Sequence, residues 1–312
     1  MTQPTLTIGM LTYDDYDGVY FTIQAIRTYH SDVANQIRFL VVDNNPSSKH
    51  GKEVATLCRN QNDTSYYGIE GVSSTSLRNL VFELASTEHV LCLDCHVLLQ
   101  PQALSRLIRF YAANPGSNDL FQGPLYTESN YVIATSMEPS FRGGNFGIWT
   151  DGDKRCDDPA ADPFEIAMHG MGMFTCRRDA WPRFPIGMRG FGGEEGTIHE
   201  KFRLTGRKCW ALPFLGWTHR FPRPAGVPYK LDIHEKVRNH LMTFRDAGLE
   251  ITPVVEYYRS RLDGNPDVSS AKMDSLVAWS QTLPNCPHTI PAGYQPFLGK
   301  PIQLLADKPP AK

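Results

Sequence analysis

The sequence predicts an α/β protein built on a mixed, mostly parallel sheet flanked by helices. Short apolar runs alternate with helical patterns through roughly the first 115 of its 312 residues. Those runs are nearly continuous in apolar residues, as strands buried on both faces are. Two of them end in an acidic residue, Asp43 and Asp94, and ligands of such sheets sit at the carboxyl ends of the strands.

Taken in order, Thr5–Thr12 reads as a buried strand and Val19–Tyr29 as a helix. Ile37–Val42 is a second strand, closed by the turn-forming Asp43-Asn44-Asn45-Pro46-Ser47-Ser48. Lys52–Arg59 is helical and Ser65–Gly68 a short strand. Ser74–Ala85 spaces Leu77, Leu80, Val81 and Leu84 as an amphipathic helix does, and Val90–Leu93 is a strand. A helix follows at Gln102–Ala113. The Gly-, Pro-, Asn- and Asp-rich stretch 115–165 reads as loop with one strand at Leu120–Leu125. A second ordered block spans His169 to Phe221, with a helix at Thr197–Leu204. Asp232–Ala247 and Glu250–Leu262 form a helical extension (226–265), and the proline-rich 266–312 reads as an extended tail.

Composition narrows the function classes. With 41% hydrophobic and 21% charged residues the chain is ordinary globular protein. It has no run long and apolar enough for a membrane span, and its start lacks a secretory pattern. Seven cysteines, odd in number and without a disulfide rhythm, fit a reducing cytoplasm. Net charge is −2, yet 11 Lys/Arg stand against four Asp/Glu between Arg177 and Lys230. That local excess suggests an anionic ligand such as a diphosphate, and leaves a nucleic-acid acceptor open.

The densest chemistry lies in His89–Leu99, where Asp94 and His96 are two residues apart. Period two puts both on one face, where they can hold a divalent metal. The same letters spell Cys92-x-x-Cys95-His96, the spacing of c-type haem attachment. Period two sends Cys95 to the opposite face from Cys92, and haem needs both thiols and the imidazole to converge. The haem reading fails on that geometry, and the pair taken alone reads either as two ordinary hydrogen-bonding residues at a strand end or as metal ligands.

Gly71-Val72-Ser73-Ser74-Thr75-Ser76-Leu77-Arg78-Asn79, then the strand into Asp94-x-His96, resembles the nucleotide-sugar half of the GT-A glycosyltransferases. The Asp-x-His variant is similar to the polypeptide N-acetylgalactosaminyltransferases. Downstream, Met168–Phe174, Gly192-Gly193-Glu194-Glu195 and Gly216-Trp217-Thr218-His219-Arg220-Phe221 follow in that family's order. The resemblance implies a GT-A catalytic domain over 1–225, with 1–115 holding the nucleotide sugar and 165–225 the acceptor and metal. It implies a UDP-sugar donor and Mn2+ (or Mg2+) on Asp94, His96 and His219. Thr12, Tyr13, Asp43, Asn44, Arg78 and Asp94 would surround the nucleotide sugar, with Tyr13 stacking on the base. Glu194 and Glu195 would be the catalytic acids at a helix start, where the helix dipole favours their ionised form. In inverting relatives the second acid deprotonates the acceptor hydroxyl, here Glu195. In the retaining N-acetylgalactosaminyltransferases that position is Asn, so the stereochemistry stays open. A nucleotidyltransferase on a related sheet is the rival enzyme, although the loop Leu11–Asp17 is acidic where such enzymes are basic. An inactive sugar- or protein-binding module is the rival from another class.

Overall fold

The computed structural model describes residues 4–71, 74–223, 226–261 and 269–284. In chain order the elements are β1 (Leu6–Thr12), α1 (Tyr16–Tyr29), β2 (Ile37–Asp43), α2 (Lys49–Arg59), β3 (Thr64–Gly68), α3 (Arg78–Leu84), β4 (His89–Asp94), β5 (Val97–Leu99) and α4 (Ala103–Ala113). Then come β6 (Leu120–Gln122), β7 (Leu125–Tyr126), β8 (Val132–Ala134), β9 (Met137–Arg142), β10 (Asn145–Trp149), β11 (Phe164–Glu165) and β12 (Met173–Arg177). The chain continues through α5 (Thr197–Leu204), β13 (Cys209–Ala211), β14 (Trp217–His219), α6 (Ile233–Asp246), α7 (Thr252–Ser260) and α8 (Ser270–Gln281).

The main sheet has eight strands in the order β11-β13-β6-β12-β4-β1-β2-β3. β1 pairs in parallel with both β2 and β4, and β2 with β3, while β12 runs antiparallel between β4 and β6. The strand–helix alternation predicts the parallel part, β4-β1-β2-β3, and the mixed, mostly parallel whole is the sheet that the GT-A resemblance implies. Central burial follows from the apolar runs: every residue of β1 is buried, and Val90 to Leu93 are wholly inaccessible. α3 lies so close on β1 that a Cβ at Gly9 would come 2.1 Å from Val81 Cγ1. Only glycine allows that approach.

A second, four-stranded sheet in the order β5-β14-β7-β8 stands at the carboxyl end of β4. β5 pairs antiparallel with β14, so that Val97 lies opposite His219. This pairing brings a histidine from late in the chain beside the end of β4.

Three expectations need correction. The stretch 115–165 is not one strand in a loop, since it forms β6 to β11. These strands are two to six residues long, too short for a periodic signal, and Gly123 and Pro124 break the expected Leu120–Leu125 strand into β6 and β7. Within 266–312, Ser270–Gln281 is helical rather than extended and packs through Met273 and Leu276 into the α6–α7 cluster. Residues 285–312 lie outside the described residues, as do Val72 and Ser73 of the Gly71–Asn79 segment. Finally, β4 ends at Asp94, and His96 reaches the site through a turn rather than by strand alternation. Cys95 consequently lines the ligand cavity, whereas Cys92 is packed in the core with Phe174.

Candidate active site

An open cavity lies at the carboxyl ends of β1, β2 and β4. Thr12, Tyr13, Asn44, Arg78, Asp94 and His96 all line it. Arg78 opens α3, entered through a short turn that Ser74 caps by accepting from Ser76 N. Its guanidinium donates to Asp94 Oδ1 at 2.7 Å. Asn79, the next residue, is structural: its Oδ1 accepts from Trp181 Nε1 and Phe184 N, each at 2.9 Å.

Asp94 is placed by its own backbone, whose N–H donates to Gly172 O at 2.9 Å. Burial opposes its charge, but Arg78 and His219 together hold its carboxyl well below the usual carboxylate range. The free oxygen, Oδ2, stands 3.4 Å from His219 Nε2, and His219 Nε2 is 3.1 Å from His96 Nε2. Ligand atoms about 2.1 Å from one ion lie roughly 3.0 Å apart at a right angle and about 3.4 Å apart at the tetrahedral angle. These two distances suit donors to one divalent ion, and oxygen and imidazole donors suit manganese or magnesium; Arg223, whose Nη2 stands 2.7 Å from His96 Nε2, would have to withdraw for an ion to bind there.

A second cluster, Asp15, Cys95 and His96, shares His96. Its groups already satisfy one another: Asp15 Oδ2 is 2.9 Å from His96 Nδ1, and Arg220 donates to both Asp15 oxygens at 2.8 Å. Burial, reinforced by Asp15, pushes the Cys95 thiol far up, so it stays protonated and a poor ligand. The first cluster is the candidate metal centre.

Around it, buried polar atoms with no hydrogen-bond partner among the described residues include Asn44 Oδ1, Thr75 Oγ1 and Arg78 Nε. Buried polar atoms are rarely left orphaned, so this wall is built to meet a polar ligand. An aromatic wall faces it. Tyr13 meets Tyr229 edge-on at 5.9 Å, and Tyr229 packs on Phe191 at 5.3 Å. Arg223 and Lys230 add positive charge to the same cavity.

Asp43 does not reach it. Fully buried, it accepts from Asn45 N and Tyr66 Oη, each at 2.8 Å, and thereby shapes the turn that presents Asn44. Burial raises its carboxyl above the ordinary value.

Glu194 and Glu195 lie beyond Arg78, near enough that Arg78 and Asp94 both act on their ionisation. Gly193 has φ +89°, and a Cβ there would come 2.8 Å from Asn239 Cβ and 2.9 Å from His240 N. α6 therefore seats against bare backbone. From it Asn239 Nδ2 donates to Gly192 O at 2.9 Å and Thr243 Oγ1 to Gly193 O at 2.7 Å. The helical extension thus holds the acid-bearing loop. The helix dipole does not decide the charge of these acids. Burial outweighs it and raises both carboxyls above the ordinary glutamate range, Glu194 further because the Glu195 charge lies beside it.

The excess of positive charge over 177–230 is largely neutralised within the fold. Eight of the eleven cations pair with carboxylates, among them Lys201 with Asp246 and Arg183 with Glu83.

Sequence reasoning missed Asp15, Arg220, Arg223 and Tyr229. Asp15 and Arg220 meet across 205 residues of chain, so no local pattern announces them.

Neither a protein-family model nor a curated protein sequence matches this chain. Its structure, however, superposes on GalNAc-T7 crystallised with UDP, GalNAc and Mn2+, with a TM-score of 0.61 and 11% identity, over 89% of this chain and 54% of that one. A further match is residues 1–349 of S. aureus TarS in complex with UDP-GlcNAc, with a TM-score of 0.50 and 14% identity, over 88% of this chain and 79% of that one. The chain spans about half the length of the GalNAc-T7 chain. It has the GT-A fold of these glycosyltransferases, and α6 to α8 stand at the C-terminal end of the described residues.

Proposed function

We propose that this protein is a metal-dependent glycosyltransferase that moves a sugar from a UDP-sugar to an acceptor hydroxyl. The observation that carries the reading is the convergence of Asp94, His96 and His219, with ligand atoms within 4.8 Å of one another, beside a cavity walled by Tyr13, Asn44 and Arg78. GalNAc-T7, of the same fold, was crystallised with UDP and Mn2+ and TarS with UDP-GlcNAc, which supports the choice of donor and ion.

Asp94, His96 and His219 would hold Mn2+ or Mg2+, which when bound neutralises charge on the diphosphate. Tyr13 offers its ring face to the base, Asn44 its unpartnered amide oxygen, and Thr12 lies at the end of β1 beside them. Arg78, Arg223 and Lys230 supply positive potential where the leaving group develops charge. Glu195, only partly exposed, accepts the proton of the acceptor hydroxyl as the new bond to the anomeric carbon forms and the bond to UDP breaks. Glu194, whose burial favours the protonated form, would be placed to donate a hydrogen bond to a sugar oxygen. No helix among the described residues is long and apolar enough to cross a membrane. The unpatterned cysteines support a cytoplasmic location.

A thermal-shift screen of UDP-sugars with and without Mn2+ tests this reading. Stabilisation by UDP-sugars that requires the ion supports it. Stabilisation that ignores the ion, or pyrophosphate among the products of turnover, contradicts it.

A further inference from the structure

We propose that Asp15 is a positioning residue that fixes the tautomer of His96 and, through Arg220, its separation from His219. This rests on the reading of Asp94, His96 and His219 as metal ligands.

Asp15 caps α1, with Oδ1 accepting from Gly18 N at 3.0 Å, so its carboxylate is anchored to helix backbone. Its other oxygen meets His96 Nδ1 at 2.9 Å. An ionised carboxylate only accepts, so Nδ1 carries the proton and the lone pair is left on Nε2. Nε2 is the nitrogen that faces His219. Arg223 Nη2 approaches the same nitrogen to 2.7 Å, and a guanidinium only donates. Both ring contacts therefore specify one neutral tautomer, the one whose lone pair lies on Nε2, where a metal ion would take the place of the Arg223 guanidinium. A carboxylate behind a ligating histidine is the usual device for this.

The second half of the inference comes from Arg220. It directly follows His219, donates to both Asp15 oxygens at 2.8 Å, and sends its backbone N–H to His96 O at 3.2 Å. One carboxylate thus joins the β4–β5 turn to the end of β14. Gly18 N on Oδ1 and Arg220 on both oxygens present only donors to this carboxylate, which therefore acts as an acceptor toward His96 as well.

The experiment uses the full chain and Mn2+ alone. Free Mn2+ is followed by electron paramagnetic resonance during titration of the parent, Asp15→Asn, Arg220→Gln and Asp17→Asn, the last an exposed acid on the same turn. In parallel, nitrogen NMR of the metal-free proteins reads the His96 ring, assigned with His96→Gln. Asn retains the helix cap but is no longer an anionic acceptor. We expect Asp15→Asn to lose about 10- to 100-fold in Mn2+ affinity and to show mixed His96 tautomers. Arg220→Gln should lose affinity while keeping the single tautomer, and Asp17→Asn should match the parent. An unchanged tautomer in Asp15→Asn overturns the proposal, whatever the affinity does, as does parental Mn2+ affinity in Asp15→Asn. If the parent binds no Mn2+, the metal reading falls, and the tautomer signal alone still decides the role of Asp15.

Discussion

Replacing Arg78 by Gln tests the electrostatic centre of the site. Arg78 is 5% exposed and its guanidinium meets Asp94 at 2.7 Å, so the substitution leaves a carboxylate in a poorly hydrated place without its main cation. Removing one partner of a buried pair typically costs about 3–5 kcal/mol. The Asp94 side chain is 24% exposed, and water recovers part of that, so about 2–3 kcal/mol is expected here. The pH dependence has a definite sign. The folded-state carboxyl of Asp94 is depressed, with burial opposing and Arg78 the chief lowering influence. Such a group stabilises the fold fully above its unfolded value of about 3.9, and that contribution is lost as pH falls through the folded value. Urea unfolding should therefore show the full difference between parent and Arg78→Gln at neutral pH, shrinking below about pH 4. A loss under about 1 kcal/mol at neutral pH, or the same loss in acid, refutes the reasoning.

Other perturbations separate chemistry from binding. Glu195→Gln should lower the transfer rate by about 10²- to 10⁴-fold while leaving UDP and Mn2+ affinity intact, measured by steady-state turnover and calorimetry. Because burial raises Glu195, the rate of the parent should climb with pH at values above the ordinary glutamate range. Lys236 lowers the Glu195 pKa, so Lys236→Met should move that ascending limb further up, as a pH–rate profile would show. Gly193→Ala forces a Cβ into α6 from a left-handed backbone. It should destabilise the protein by at least about 1 kcal/mol in urea unfolding and depress turnover more than UDP affinity.

The parallel strands of the main sheet are legible because each is a single uninterrupted apolar run, β1, β2 and β4 above all. The region from β6 to β10 is not. β6 is a buried strand of the main sheet, yet Leu120-Phe121-Gln122 offers three residues, and its polar member is satisfied only by distant groups such as Gly170 O, 2.7 Å from Gln122 Nε2. α8 escaped for a related reason. Its buried set, Met273, Leu276 and Ser280, is a thin stripe among prolines and polar residues. At the site, motif order pointed to Asp94, His96 and His219, and the β5–β14 pairing brings them together. The motif could not tell which member of Asp43-Asn44 faces the ligand, because an acid at a strand end reads the same whether it turns outward or, as here, inward to Tyr66. Asp15 carries no local signal at all, since its partner His96 is 81 residues away.

Calorimetric titration of UDP into the full chain, with Mn2+ or with EDTA, paired with UDP release from the UDP-sugar chosen by thermal shift, is the most direct test of the account. Metal-dependent binding and turnover are predicted for the parent, with both abolished in Asp94→Ala and His219→Ala. Full turnover in EDTA would contradict it.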